Sequence, residues 1–212
     1  MAYRQHVSQL RRTKSRGTAL VEFAIVMGIM VPMFFGMVVI GLSSTSGIQA
    51  VQVTRDLGHM YSLGVDFSPA TTNDELALNL AQGLSLTPTG TGVVLFTQIK
   101  QVFTADCTAQ ALGSCGNANQ FVIVQRLKIG NGTVRTSTFG TPAGTYVDAK
   151  GNISPTSYLT IASLVATNTG ILPAVAAGNS VYATESYFQL PALQYLSPFG
   201  TPIDGIYSIC FF

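Results

Sequence analysis

The sequence predicts an α+β protein: a long N-terminal transmembrane helix followed by a small head with a short helix and an antiparallel β-sheet. Three observations lead there. Residues 23–42, "FAIVMGIMVPMFFGMVVIGL", are 20 apolar positions without a charge. From residue 92 onward, helical spacing gives way to runs rich in β-branched and aromatic side chains. The 212-residue chain is 47% hydrophobic and 9% charged, where soluble domains carry roughly 25% charge.

The N-terminal 17 residues hold Arg4, Arg11, Arg12, Lys14 and Arg16 and no acid. This segment reads as a polar, disordered basic leader. A nucleic-acid reading of "RRTKSR" is weak, because no basic-aromatic stretch comes after it. The apolar run would span about 30 Å as a helix, the thickness of a bilayer core. It exceeds the roughly 7–15 residues of a cleavable secretory signal. A buried core helix is the soluble alternative, but the chain looks too small to wrap so long a run on all sides. Positive residues beside a span stay cytoplasmic, which puts the N-terminus inside and the head outside.

The helix is expected to start near Thr18. In "SSTSGIQAVQVTRDLGHMYSLGVD", Ile48, Val51, Leu57 and Met60 sit near helical spacing, and Arg55 and Asp56 supply a polar side. The helix therefore either continues, or breaks at residues 43–47 and restarts, and ends around Gly64. Residues 72–84, "TNDELALNLAQGL", read as a short amphipathic helix capped by Asn73, with Leu76, Leu80 and Leu84 on one side. Residues 92–104 read as a strand. Residues 120–140 read as two strands around "GNG", a hairpin signal. "YLTIASLVA" fits a strand or a short helix. Residues 179–196 read as a final strand stopped at Pro191. The divisions are residues 1–17, 18–64 and 65–212.

Of the three cysteines, Cys107 and Cys115 enclose a short Gly- and Ala-containing stretch and are the preferred disulfide pair, leaving Cys210 over. An outside location permits disulfides. Three unbonded thiols are the alternative, and the spacing does not match a zinc site. No metal or cofactor is expected.

The junction at Gly17 holds the most specific chemistry. Cleavage after Gly17 would give Thr18 a free amine, with Glu22 one helical turn later. A charge in hydrocarbon costs several kcal/mol unless paired. The carboxylate could meet its own chain's amine or, in an assembly, that of a neighbouring subunit, which would set the register between packed helices. Gly17 suits a protease that needs an unhindered backbone. The plainer alternative is that Glu22 snorkels at the headgroups of an uncut anchor. Gly28, Pro32 and Gly36 are spaced by four and share a face that allows close helix approach; a passive proline kink and incidental composition are the alternatives. Met27, Met30, Met33 and Met37 suit lipid or adaptable packing partners.

Basic residues followed by "GTALVE" and a hydrophobic run resemble the type IV prepilin signal, which a prepilin peptidase cuts after the glycine. More narrowly, "RGTALVEFAIVMGIMVP" is similar to the start of TadE-like proteins, the minor pilins or pseudopilins of tight-adherence (Tad, Flp-type) pili. "GIQAVQVTRDLGHMYSLG" and "VYATESYFQLPALQYL" resemble the family's later helix and strand. The head is far larger than that of a major Flp pilin, and Phe23 stands where those carry tyrosine. The resemblance implies cleavage between Gly17 and Thr18. It implies pairing through Thr18 and Glu22 with other pilin or pseudopilin subunits. It also implies dependence on the peptidase, an assembly platform and its ATPase, and residence in a bacterial inner membrane with the head periplasmic or extracellular. The rivals are a minor pseudopilin of a type II secretion apparatus, an uncut membrane-anchored envelope protein whose head binds a partner, and an anchored hydrolase.

An enzyme is not expected. The two histidines are His6 and His59, and no G-x-S-x-G, H-E-x-x-H, P-loop or Rossmann pattern occurs. Glu185 and Asp148 read as isolated surface or turn acids. The "NGT" at Asn131 matches a glycosylation sequon, but a turn alone explains Asn-Gly.

Overall fold

The computed structural model describes residues 2–69, 73–113, 115–176, 178–189 and 205–212, with side chains from residue 17 onward. The chain forms two compact units, Met1–Ser44 and Thr45–Phe212. Helix α1, Ala2–Ser62, runs through the first and into the second. The backbone is thus helical from Ala2, not irregular up to residue 17, and it does not break at residues 43–47. The hydroxyls of Ser43 and Ser44 donate to the carbonyls of Val39 and Ile40 one turn back, so these serines cost the helix little.

In the first unit, every residue from 17 to 35 is exposed. The helical stretch Gly17–Ser62 is long and apolar enough to cross a membrane. Apolar side chains exposed in this way are what lipid or a helical neighbour would cover.

The second unit is an α+β head around a four-stranded antiparallel sheet of order β2-β1-β3-β4. Its strands are β1 (Gly92–Gln101), β2 (Phe121–Gly130), β3 (Ser180–Gln189) and β4 (Gly205–Phe211). Both faces are covered, which explains why β1 and β3 are buried along most of their length and do not alternate. On one face lies the end of α1. Its buried stripe is Ala50, Val53, Leu57 and Tyr61, at the three- and four-residue steps of a helix face. Ile48 and Val51, expected in that stripe, are exposed at 61% and 49%. Leu57, also expected there, does lie in it, and small residues at the same contact let the helix approach the sheet. A Cβ on Gly58 would stand 2.9 Å from Thr184 Oγ1. The Thr54 and Ser186 hydroxyls are hydrogen-bonded across the same contact.

Helix α2, Asn73–Leu80, joins this face. It buries Ala77, with Ala81 and Leu84 beyond it, while Leu76 and Leu80 are exposed at 42% and 38%. Asn73 is the first helical residue, not the cap, and its amide donates to Asp66 O at 2.7 Å.

β1 and β2 are joined through α3, Thr104–Ala109. The Cys107–Cys115 disulfide staples this connection, as expected. It packs with Val102, Val122 and Leu159. Burial works against the charge on Asp106, but Lys100 Nζ at 2.5 Å and the Phe103 N–H hold its carboxyl below the usual range.

The expected hairpin around "GNG" does not form. Gly130 ends β2 at φ +87°, a region open to glycine, and Asn131 N donates to Gly92 O. The chain then crosses the second face of the sheet. The free edge of β2 is taken by later segments: Arg126 N donates to Gly151 O, Ile153 N to Val124 O and Ala166 N to Phe121 O. That covering layer carries 3₁₀ turns at Gly144–Tyr146, Ala162–Leu164 and Thr169–Ile171, and α4, Pro155–Thr160. "YLTIASLVA" is therefore helical turns. Ser154 caps α4 by accepting from Ser157 N, with Pro155 at its first position.

β3 is not the final strand. β4 pairs along it from Gln189↔Gly205 to Ala183↔Phe211. Pro191 lies outside the described residues.

Candidate functional site

Two groups of residues stand out, one in each unit. In the first, Gly17, Thr18, Glu22, Gly28, Pro32 and Gly36 all lie within α1. Glu22 is exposed and sits among apolar side chains that are themselves exposed: Leu20 at 71%, Val21 at 57%, Phe23 at 61% and Ile25 at 62%. A Cβ on Gly17, Gly28 or Gly36 would meet nothing within 4 Å. The Gly28–Pro32–Gly36 face is therefore open, so a second helix could approach the backbone closely there. Met27, Met30, Met33 and Met37 are likewise exposed.

The second group lies on the sheet face away from α1. Alternation along the strands puts Arg126 and Lys128 of β2, Leu95 and Thr97 of β1, Glu185 and Tyr187 of β3, and Tyr207 of β4 on that face. The register pairs Leu95 with Lys128 and Glu185, Thr97 with Arg126, and Tyr187 with Tyr207. The crossing segment closes over them.

Glu185 is buried at 1% exposure, which corrects its reading as a surface acid. Its carboxylate accepts from the Ser137 hydroxyl, from Thr138 N at 2.8 Å and from Tyr207 OH at 2.7 Å. Arg126 Nη1 stands 3.9 Å away, an ion pair without a hydrogen bond. Arg126 donates through Nη2 to Gly140 O at 2.7 Å. Burial draws its pKa down to about 10, with Glu185 acting in the opposite direction. Tyr207 is pushed up to about 12 by burial; the Thr138 hydrogen bond opposes the shift and Glu185 adds to it. Arg135 lies over the Tyr207 ring at 4.2 Å and the Tyr187 ring at 5.2 Å, a cation–π pair.

With three of its roughly four acceptor positions taken, Glu185 fastens the crossing segment to the sheet. A sequence signal for it exists. "SVYATESYFQ" and "FVIVQRLKIG" each carry charge at mid-strand among apolar residues, acidic in the first and basic in the second.

Asp148 lies in an exposed turn, as expected, accepting from Lys150 N and Asn152 N. Asn131 sits in a turn whose geometry its own amide completes: it donates to Gly90 O, and its carbonyl accepts from Thr133 N and Thr133 Oγ1. Among the described residues Cys210 is a free thiol on β4, half-buried. No group of three or more His, Cys, Asp or Glu is arranged to hold a metal ion among the described residues.

No family model, curated protein or solved structure matches the chain.

Proposed function

We propose that the chain is a TadE-like minor pilin or pseudopilin of a tight-adherence pilus. It is cut by a prepilin peptidase between Gly17 and Thr18 and is packed through α1 among other pilin subunits. In this reading the leader stays cytoplasmic, the helix crosses the inner membrane and the head lies outside it. A platform and an ATPase then drive its assembly.

The observation that carries the proposal is Glu22. It is one acid in an otherwise apolar, fully exposed helical surface, one turn after the Gly17–Thr18 junction and behind a basic leader. An unpaired carboxylate at that depth costs several kcal/mol. An amine released at Thr18, on its own chain or a neighbour's, removes the cost. The open Gly28–Pro32–Gly36 face supports close packing of helices.

The test is a source strain stripped of its prepilin peptidase. The chain is expected to stay at full length in the membrane and to be missing from sheared filaments. Unchanged size and fractionation would overturn the proposal.

One observation favours the uncut anchor as a second reading. The backbone is helical on both sides of Gly17, so cleavage requires local unwinding at the glycine. Under that reading the full-length chain stays in the membrane in every strain.

A further inference from the structure

A small cavity opens beside the buried Glu185 cluster, on the sheet face that the crossing segment covers. Its volume is about 120 Å³, and Arg126, Lys128, Arg135, Ser137 and Thr141 are among its lining residues. That is several times the space one water needs. Glu185 is not among the lining residues, and its oxygens face Ser137, Thr138 and Tyr207.

The cations outnumber their counter-charges. Arg126 Nε and Nη1 are buried and make no hydrogen bond among the described residues. A guanidinium has five N–H donors, and the hydrogen bond found here is the one to Gly140 O. Burial without partners costs about 1–3 kcal/mol, more for a charged group. Lys128 and Arg135 meet no carboxylate within ion-pair distance among the described residues. Three cations therefore share one carboxylate, and that carboxylate already accepts from three neutral donors. Arg135 is held in place by the Tyr207 and Tyr187 rings, so the arrangement exists before any ligand arrives.

We infer that this cavity is a binding site for a tetrahedral oxyanion, a phosphate group held by Arg126, Lys128 and Arg135 with the Thr141 hydroxyl beside it. Such an anion supplies the acceptors that Arg126 lacks and neutralises the surplus charge in one step. The group is either free phosphate or a phosphodiester of the kind a lipid headgroup carries. The site is independent of α1's proposed role in filament packing.

The test uses the full-length chain in detergent, titrated with inorganic phosphate and, separately, with soluble glycerophosphoglycerol. Saturable binding that weakens with added salt is expected. Lys128→Gln and Arg135→Gln change exposed residues, so both variants should fold. Each is expected to weaken binding about tenfold, the loss of one charge-assisted contact. Arg126→Gln should abolish binding; where it unfolds the head, the two surface variants still decide. Tighter binding of the diester assigns the site to a headgroup, and tighter binding of phosphate assigns it to the free ion. No saturable binding of either probe, or affinity unchanged in both surface variants, would overturn the inference.

Discussion

At the scale of single residues, two acids carry most of the chemistry, and their surroundings are opposite. Glu22 is exposed on an apolar helix, and its cost depends on what packs against it. If the proposed pairing with a Thr18 amine is real, Glu22→Ala leaves membrane insertion intact, because alanine is cheaper than glutamate in hydrocarbon. Incorporation into sheared filaments should fall by about tenfold or more, since the partner amine then lacks its counter-charge. Immunoblots of membrane and shear fractions measure this, and equal incorporation would remove the pairing. Glu185 is the opposite case, buried and bonded by three donors. The phenol that bonds it, Tyr207, is raised from its ordinary value of 10.0 to about 12. In the unfolded chain the phenol ionises first as pH climbs, so the unfolded state then holds fewer protons than the folded one. The stability that this shift supplies is complete below pH 10 and is lost between about pH 10 and 12. Tyr207→Phe should remove this contribution, so its melting temperature should fall less, or rise more, between pH 10 and 12 than that of the unchanged chain.

At the scale of elements, what could be read in advance depended on whether neighbours or the chain itself decided the outcome. The apolar span, β1, β2 and β3 carry their own signal, because β-branched runs and an uncharged stretch of 20 residues leave few alternatives. The Cys107–Cys115 staple was legible from local spacing. The hairpin after Gly130 was not, because the edge it would occupy is won by residues 151–153 and 165–166, far along the chain. The helix stripes were read in part, with Leu57, Met60 and Leu84 on the core side as expected and the other positions displaced for a related reason. Leucines marked the amphipathic face, but contact with the sheet selected the small residues Ala77, Ala81 and Gly58. Of the candidate groups, the α1 residues stand out in the sequence by themselves, whereas the Glu185–Arg126–Tyr207 cluster is assembled only by the register of all four strands.

Packing and covalent closure are both testable at this scale. Gly58→Ala brings a Cβ to 2.5 Å from Phe212 Cε2 and 2.9 Å from Thr184 Oγ1. The terminal Phe212 ring can swing aside, but Thr184, on a paired strand, cannot. Overpacking of about 1–3 kcal/mol should outweigh the roughly 1 kcal/mol of helix propensity gained, so the melting temperature should drop. Reducing the Cys107–Cys115 bond, which closes a separation of eight residues, should cost about 2–3 kcal/mol. A denaturant midpoint measured with and without reductant reports it.

At the scale of the whole molecule, a head with its own core and a helix exposed along its apolar length divide the labour. The head folds around a sheet covered on both faces, while residues 17–35 bury nothing within the chain. Such a helix is completed by a bilayer, by neighbouring helices, or by each in turn, and the proposed filament subunit would need both environments. The tie between them is the amine that proteolysis would create beside Glu22. The most direct measurement is therefore the first residue of the protein recovered from its source cells, by intact-mass spectrometry and terminal peptide sequencing. A chain beginning at Thr18 is the expected result. A chain that still carries its arginine- and lysine-rich leader would contradict it, leaving a tethered head with no filament to join.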